Sequence, residues 1–399
     1  MSRQKPLIFI VSGEASGDNL AGRLMAALKA KTEGRVRFAG VGGPQSEAHG
    51  LKSLFPMREL SLMGLAEVLP HLPRLIKRLN QTVAAARELK PDVVVTLDAP
   101  GFCLRLAHHL KGSGIPIVHY VAPQLWAWRP GRAKKLAKRV DHLMALLPFE
   151  VPFFANYGIP CTYVGHPAIE SGAMRGDGPA FRKRHGLPAG APVLCVLPGS
   201  RGGEVRRMLP VFGEALRRLT QTYPDLRVVI PVAASVAEEV DALTKNWPLP
   251  VIRVVAEEER FDAFAACDAA ITKSGTVTLE LALAQVPMVV AYRVAPATAF
   301  LVRRMGVSVE HASLVNLLAG HAVVPELIQE ECTADRLVAE SDALFRSDEA
   351  RAAQREGFRE IIKIMGDATP PPSERAAKVV LDAVRVRAAM QAPPDTAER

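Results

Sequence analysis

The strongest constraint on this chain is an alternation that runs along most of its length. A short, unbroken apolar run is followed by a stretch with helical periodicity, and the unit then repeats. The first series of runs is 7–12 (LIFIVS), 36–41, 93–98, 116–121, 142–147 and 161–164, with helical patterns at 18–31, 74–89, 104–111 and 131–139. The runs are continuous, not alternating apolar with polar, as expected of strands buried on both faces of a parallel sheet. After a Gly-, Pro- and charge-rich stretch at 168–190, read as a linker, the pattern restarts. The second series is 193–197, 227–232, 251–256, 268–272 and 287–292, with helices at 204–222, 235–245, 260–267 and 277–285. Two successive series predict two doubly wound, Rossmann-like α/β domains facing a cleft. The expected division is 1–170 for the first domain and 171–365 for the second. A helix at 373–389 and a polar tail remain in 366–399, a segment able to pack back on the first domain.

Charge narrows the class of partner. Fifty Lys and Arg against 41 Asp and Glu give a net charge of +9, which points to nucleic acid, an anionic membrane surface or a phosphorylated ligand. Apolar stretches long enough to span a bilayer do not occur, and the run Leu7 to Val11 is too short for a signal-peptide core. Cys103, Cys161, Cys195, Cys267 and Cys332 are scattered and never form a CxxC pair, so they read as small core residues in a reducing compartment. With no DxD, HExxH or Cys/His cluster, neither a dedicated metal site nor a cofactor is expected.

Several strand-to-helix turns carry polar residues suited to chemistry. PGSRGGE, 198–204, offers Gly199 and Ser200 backbone groups, a helix start and the guanidinium of Arg201 to an anion. A plain turn with an exposed arginine is the alternative. KSGTVTLE, 273–280, gives Ser274, Gly275 and Thr276 in a second such turn. Glu280 lies one turn further, where a carboxylate either accepts hydrogen bonds from a ribose diol or simply complements the helix dipole. Asp98 ends the strand 93–98, where a carboxylate can act as a general base toward a hydroxyl or cap the next helix. SGEASGD, 12–18, brings Ser12, Glu14 and Ser16 to the same kind of strand end, without the GxGxxG spacing of a dinucleotide fingerprint. Trp126 and Trp128 follow the strand at 116–121 and either wall a ligand cleft or anchor their loop. Segment 60–79 sets Met63, Leu69 and other apolar side chains before Arg74, Lys77 and Arg78, which suits a surface dipping into anionic lipid or a stretch of buried core.

These residues together resemble the lipid-A-disaccharide synthase family. The resemblance is carried by SGEASGD at 12–18, SLFPMRELSLMGLAEVLPHLPRL at 53–75, DAPGF at 98–102, YVAPQLWAWR at 120–129 and LPFE at 147–150. It continues in VGHP at 164–167, LPGSR at 197–201, SGTVTLE at 274–280, LVNLLAG at 314–320 and VPELIQEEC at 324–332. It implies an inverting, metal-independent glycosyltransferase of the GT-B type. The donor would be UDP-2,3-diacylglucosamine and the acceptor 2,3-diacylglucosamine 1-phosphate (lipid X). By the same resemblance Asp98 is the base and Arg201 stabilises the leaving group. Gly199, Ser200, Arg201, Ser274, Gly275, Thr276, Glu280 and Asn316 hold the nucleotide. Ser12, Glu14, Ser16, Met63, Leu69, Trp126, Trp128 and Arg129 lie on the acceptor and lipid side. A peripheral enzyme on the cytoplasmic face of the inner membrane is implied, with a homodimer allowed and no nucleic-acid partner. Gly101, Cys103 and Ala122 depart from the family pattern as DAPGFC and YVAP. A UDP-sugar epimerase of the same fold and a nucleic-acid-binding module are the competing classes. The first has no need of a lipid-docking segment, and the second lacks any recognisable signature.

Overall fold

The computed structural model of the chain describes residues 5–60, 65–128, 130–294, 310–366 and 369–391, with backbone only at 65–69, 127 and 128. The chain divides into two compact units, 1–167 together with 368–399, and 168–367.

The first unit is built on β1 (Leu7–Ser12), β2 (Arg37–Val41), β3 (Val93–Leu97), β4 (Ile117–Tyr120), β5 (His142–Ala145) and β6 (Cys161–Tyr163). They form one parallel sheet in the order β2-β1-β3-β4-β5-β6. Every residue of β1, β3 and β4 is buried, which is why these runs lack polar alternation. Full burial of a Phe9- or Ile10-sized side chain contributes roughly 1.5–3 kcal/mol. The final helix, Pro372–Gln391, lays Ala376, Ala377 and Val380 into the apolar layer formed by Leu20, Leu24 and the β1 face of the first sheet, and Glu374 pairs with Lys31 at 2.9 Å.

The second unit holds β7 (Val193–Leu197), β8 (Arg227–Pro231), β9 (Val251–Val254), β10 (Ala269–Thr272), β11 (Met288–Tyr292) and β12 (Glu326–Ile328). Its sheet is also parallel, in the order β12-β11-β10-β7-β8-β9. Two doubly wound α/β units are therefore present, as the alternation predicts.

Some elements differ from expectation. Strand β12 is three residues long, too short to carry a pattern. Helices Ala334–Arg346 and Asp348–Met365 were not expected, although Thr333 and Ser347 cap them by accepting from Arg336 N and Ala350 N. Helix Leu65–Leu89 begins nine residues before the predicted 74–89 and runs through Pro70 and Pro73, neither of which ends it. Residues 168–190 are not a free linker. Helix Gly178–Arg184 forms there, and Arg182 donates to Ala266 O, Ala191 O and Asp268, fastening it to the second unit.

Candidate active site

In an open α/β sheet, a crevice forms at the strand ends where successive connections run in opposite directions. In the first sheet that point lies between β1 and β3, since β2 is added on one side of β1 and β3 on the other. Register pairs Ser12 with Leu97, so the loops beginning at Gly13 and Asp98 leave the sheet side by side. In the second sheet the point lies between β7 and β10, with Leu197 opposite Thr272, so PGSR and KSGT emerge together.

The first crevice centres on Asp98. Asp98 and Ala99 are both left-handed, with φ of 45° and 35°, an uncommon state for two successive residues with side chains. The turn points the carboxylate back at the start of helix Ala15–Lys31. Gly13 N–H donates to Asp98 Oδ1 at 3.1 Å, while Oδ2 is buried without a hydrogen-bond partner among the described residues. A side chain at Gly17 would begin 1.8 Å from Oδ2, so only glycine admits the carboxylate here. Burial drives the Asp98 carboxyl up to about 7; the Gly13 N–H opposes the rise and the charge of Glu14 adds to it. A carboxylate with one unsatisfied oxygen and a pKa near neutrality is matched to accepting a proton.

The residues predicted for the acceptor side are placed unequally. Glu14 occupies the N-cap of its helix and is half-buried, and Ser16 is exposed. Ser12 is fully buried and its hydroxyl donates to Met57 Sδ at 3.4 Å, so it belongs to the packing and does not face a ligand. The correction follows from its place as the last residue of β1, whose inward face is core. Asp18 is also structural: its carboxylate accepts from Gly43 N, Gln45 N and Ser46 N and holds the start of helix Pro44–Ala48.

Trp126 is tethered by a residue to which sequence reasoning gave no role. Its Nε1 donates to Glu150 Oε1 at 3.3 Å, and its ring meets Phe149 edge-on at 5.0 Å. Glu150 Oε2 accepts from Leu146 N and Leu147 N, and burial raises its carboxyl to about 7. Arg129, Met63 and the side chains of Trp128 and Leu69 lie outside the described residues. In the described part of that helix, Leu72 and Ile76 are 39% and 49% exposed, whereas Leu79 and Val83 are buried. Arg74 and Arg78 both pair with the single carboxylate of Glu59, so one positive charge of this cluster remains uncompensated. Lys77 is exposed.

The second crevice is charged and internally paired. Gly199 has φ 120°, and a side chain there would meet Glu204. Arg201 is the N-cap of helix Gly202–Thr222, and its guanidinium lies 3.5 Å from Glu204 Oε1. Ser200 O accepts from Ser235. Across the crevice, Lys273 pairs with Glu204 at 3.0 Å; neither residue was among the sequence candidates, although Glu204 closes the PGSRGGE motif and Lys273 opens KSGT. Ser274 Oγ donates to Ala312 O at 2.6 Å, and Thr276 stands at the N-cap of helix Val277–Leu283 without a side-chain cap bond. The carboxylate of Glu280 is ion-paired with Arg260. Asn316 is buried, and its side chain holds the turn toward β12: it accepts from Val323 N and Val324 N and donates to Val324 O. Both acceptor sites and one amide hydrogen are thereby committed to the fold.

With this geometry defined, comparison with known proteins assigns the family. The family model of lipid-A-disaccharide synthetase matches residues 8–379. The chain belongs to that family. It is 53% identical over 386 residues to a lipid-A-disaccharide synthase of Rhodospirillum centenum, a match covering 96% of each chain. Among solved structures it resembles a UDP-GlcNAc 2-epimerase from Neisseria meningitidis bound to UDP-GlcNAc, with TM-score 0.61, 12% identity and coverage of 95% and 99%. It also resembles a calicheamicin glycosyltransferase, with TM-score 0.56, 19% identity and coverage of 98% and 100%. The likeness to both shows that transferases and epimerases share this two-domain fold, so fold alone does not separate them.

Proposed function

We propose that this member of the lipid-A-disaccharide synthetase family transfers 2,3-diacylglucosamine from UDP-2,3-diacylglucosamine to the 6-hydroxyl of 2,3-diacylglucosamine 1-phosphate. The products are the β-1′,6-linked disaccharide 1-phosphate and UDP. The observation that carries the mechanism is the desolvated carboxylate of Asp98, with its pKa near 7 and one oxygen unengaged.

The chemistry is one in-line displacement. The acceptor's 6-oxygen forms a bond to the anomeric carbon as the bond from that carbon to the diphosphate breaks, which inverts the configuration. The hydroxyl proton passes to Asp98, and the electron pair of the broken bond goes to a β-phosphate oxygen of UDP. Arg201 and the N-terminus of its helix take up the growing charge. Gly199, Ser200, Ser274, Gly275 and Thr276 frame the diphosphate, and Glu280, oriented by Arg260, receives the ribose hydroxyls. On the acceptor side, Glu14, Ser16 and the Glu150-tethered Trp126 flank the acceptor sugar.

Both substrates carry acyl chains, so the reacting sugars lie at a bilayer surface. Among the described residues no helix is long and apolar enough to cross a membrane. Leu72, Ile76 and Lys77 supply an exposed apolar and basic face, and the net charge of +9 favours an anionic leaflet. Mass spectrometry of products from the purified protein supplied with both lipid substrates tests the activity. A disaccharide 1-phosphate is expected, and an epimerised UDP-sugar with no transfer would overturn the reading. For the membrane, the Leu72→Ser/Ile76→Ser double variant is expected to keep its melting temperature and lose co-sedimentation with anionic vesicles.

A further inference from the structure

The crevice between β7 and β10 contains a cation that the mechanism above does not use. Lys273 is the first residue after β10, and its side chain is only 17% exposed. Its ammonium lies 3.0 Å from Glu204 Oε1 and 5.0 Å from the ring centroid of Tyr292, the last residue of β11. A side chain on Gly275 would begin 3.6 Å from that nitrogen, so the ammonium sits against the KSGT turn. Glu204 reaches it from the first turn of helix Gly202–Thr222, with a side chain only 6% exposed. Glu204 Oε1 is also 3.5 Å from Arg201, and Oε2 is buried without a hydrogen-bond partner among the described residues.

As a packing device this is a poor choice. Two charges are taken out of water, and one carboxylate oxygen is left unsatisfied; apolar side chains of similar volume are often neutral or stabilising by comparison. The arrangement does suit the arrival of an anion. An ammonium has three donors, and Glu204 engages one of them.

We propose that Lys273 is a further catalytic residue of the transfer: its ammonium binds the β-phosphate of the departing UDP, and Glu204 and Tyr292 are positioning residues that hold it between the two turns. The inference rests on the nucleotide reading given above. As the bond from the anomeric carbon to the diphosphate breaks, the electron pair moves onto a β-phosphate oxygen. Lys273 donates a hydrogen bond to that oxygen and keeps its proton. The contact is stronger to the product-like oxygen than to the ground-state ester, which is what lowers a barrier.

The test compares full-length Lys273→Met, Lys273→Arg and Glu204→Gln in steady-state kinetics with both lipid substrates and in calorimetric titration with UDP. Lys273→Met is expected to lower kcat about 100-fold and to weaken UDP binding, with KM for the lipid acceptor little changed. Lys273→Arg, which keeps the charge, should recover most of that loss. Glu204→Gln should do the opposite to affinity, tightening UDP several-fold (about 3- to 10-fold) because the ammonium loses its competing carboxylate. A purely structural pair predicts weaker or unchanged UDP binding in Glu204→Gln. Turnover of Lys273→Met within about two-fold of the wild type, or weaker or unchanged UDP binding by Glu204→Gln, would overturn the proposal. If Lys273→Met fails to fold, recovery by Lys273→Arg and the sign of the Glu204→Gln effect still decide it. If Arg201→Ala weakens UDP binding while Lys273→Met behaves as wild type, only this inference falls; unchanged affinity in both removes the nucleotide reading as well.

Discussion

The two crevices share one topology and carry opposite electrostatics. At β1/β3 a carboxylate is drawn out of water and met by backbone N–H groups, with no cation against it among the described residues, so burial outweighs those bonds and its pKa climbs to about 7. At β7/β10 the carboxylate of Glu204 is more deeply buried but faces two cations, Arg201 and Lys273. The first arrangement produces a group ready to accept a proton, and the second produces a set of charges ready to exchange one anion for another. The strand order supplies the crevice in both cases; the count of neighbouring cations decides what the crevice does.

The sharpest way to break this contrast is to remove the first carboxylate. Asp98→Asn should lower turnover by about 100-fold or more while leaving UDP affinity near the wild-type value, because only the proton acceptor is lost. Asparagine tolerates the left-handed backbone at this position, so the variant should fold. Near-normal turnover would remove Asp98 from the mechanism. The same variant should be the more stable protein at pH 8, by on the order of 1–3 kcal/mol. The raised carboxyl stays protonated in the fold up to about 7 while the unfolded chain ionises near 3.8, so stability falls as pH rises between those values and then levels. Thermal melts of both proteins at pH 4 and pH 8 should show the gap opening with pH.

Gly17→Ala attacks the same site without touching the carboxylate. Its new methyl would start 1.8 Å from Asp98 Oδ2, so the carboxylate must move. A loss of turnover of about 10-fold or more is expected, since small misplacements of a reacting group are costly. UDP titration should be unaffected; a matching loss of UDP affinity would mean that the two crevices are not independent. On the other side, Arg201→Ala should weaken UDP by about 1–3 kcal/mol, the range for a hydrogen bond to a charged group. Calorimetry with UDP alone reads this directly, and unchanged affinity would put the nucleotide elsewhere.

The pH dependence is the most diagnostic. Below pH about 7, kcat/KM should fall one decade per pH unit as Asp98 takes up a proton. Glu150 is also lifted to about 7 by burial, so a pH profile alone does not separate the two. Glu150→Gln should therefore retain the acid limb, and its loss in that variant would transfer the base role away from Asp98.

The sequence by itself determined the elements and the chemistry-bearing turns. Continuous apolar runs such as LIFIVS and VLCVL mark doubly buried strands because periodicity is a local property, and β1 and β7 begin and end where the runs do. Likewise Asp98, PGSR and KSGT could be read as strand-end loops from their flanks alone. Tertiary structure decided what those loops meet. Strand order β2-β1-β3 brings Gly17 against Asp98, residues 81 positions apart, and removes the water that would have kept the carboxyl at an ordinary pKa. Packing turned Ser12 inward, committed Asn316 to a turn and gathered Arg74 and Arg78 on the one carboxylate of Glu59. It also joined Lys273 to Glu204, on a helix start that the sequence keeps far from the KSGT turn. Desolvation and charge pairing depend on neighbours distant along the chain, and no local pattern of residues encodes them.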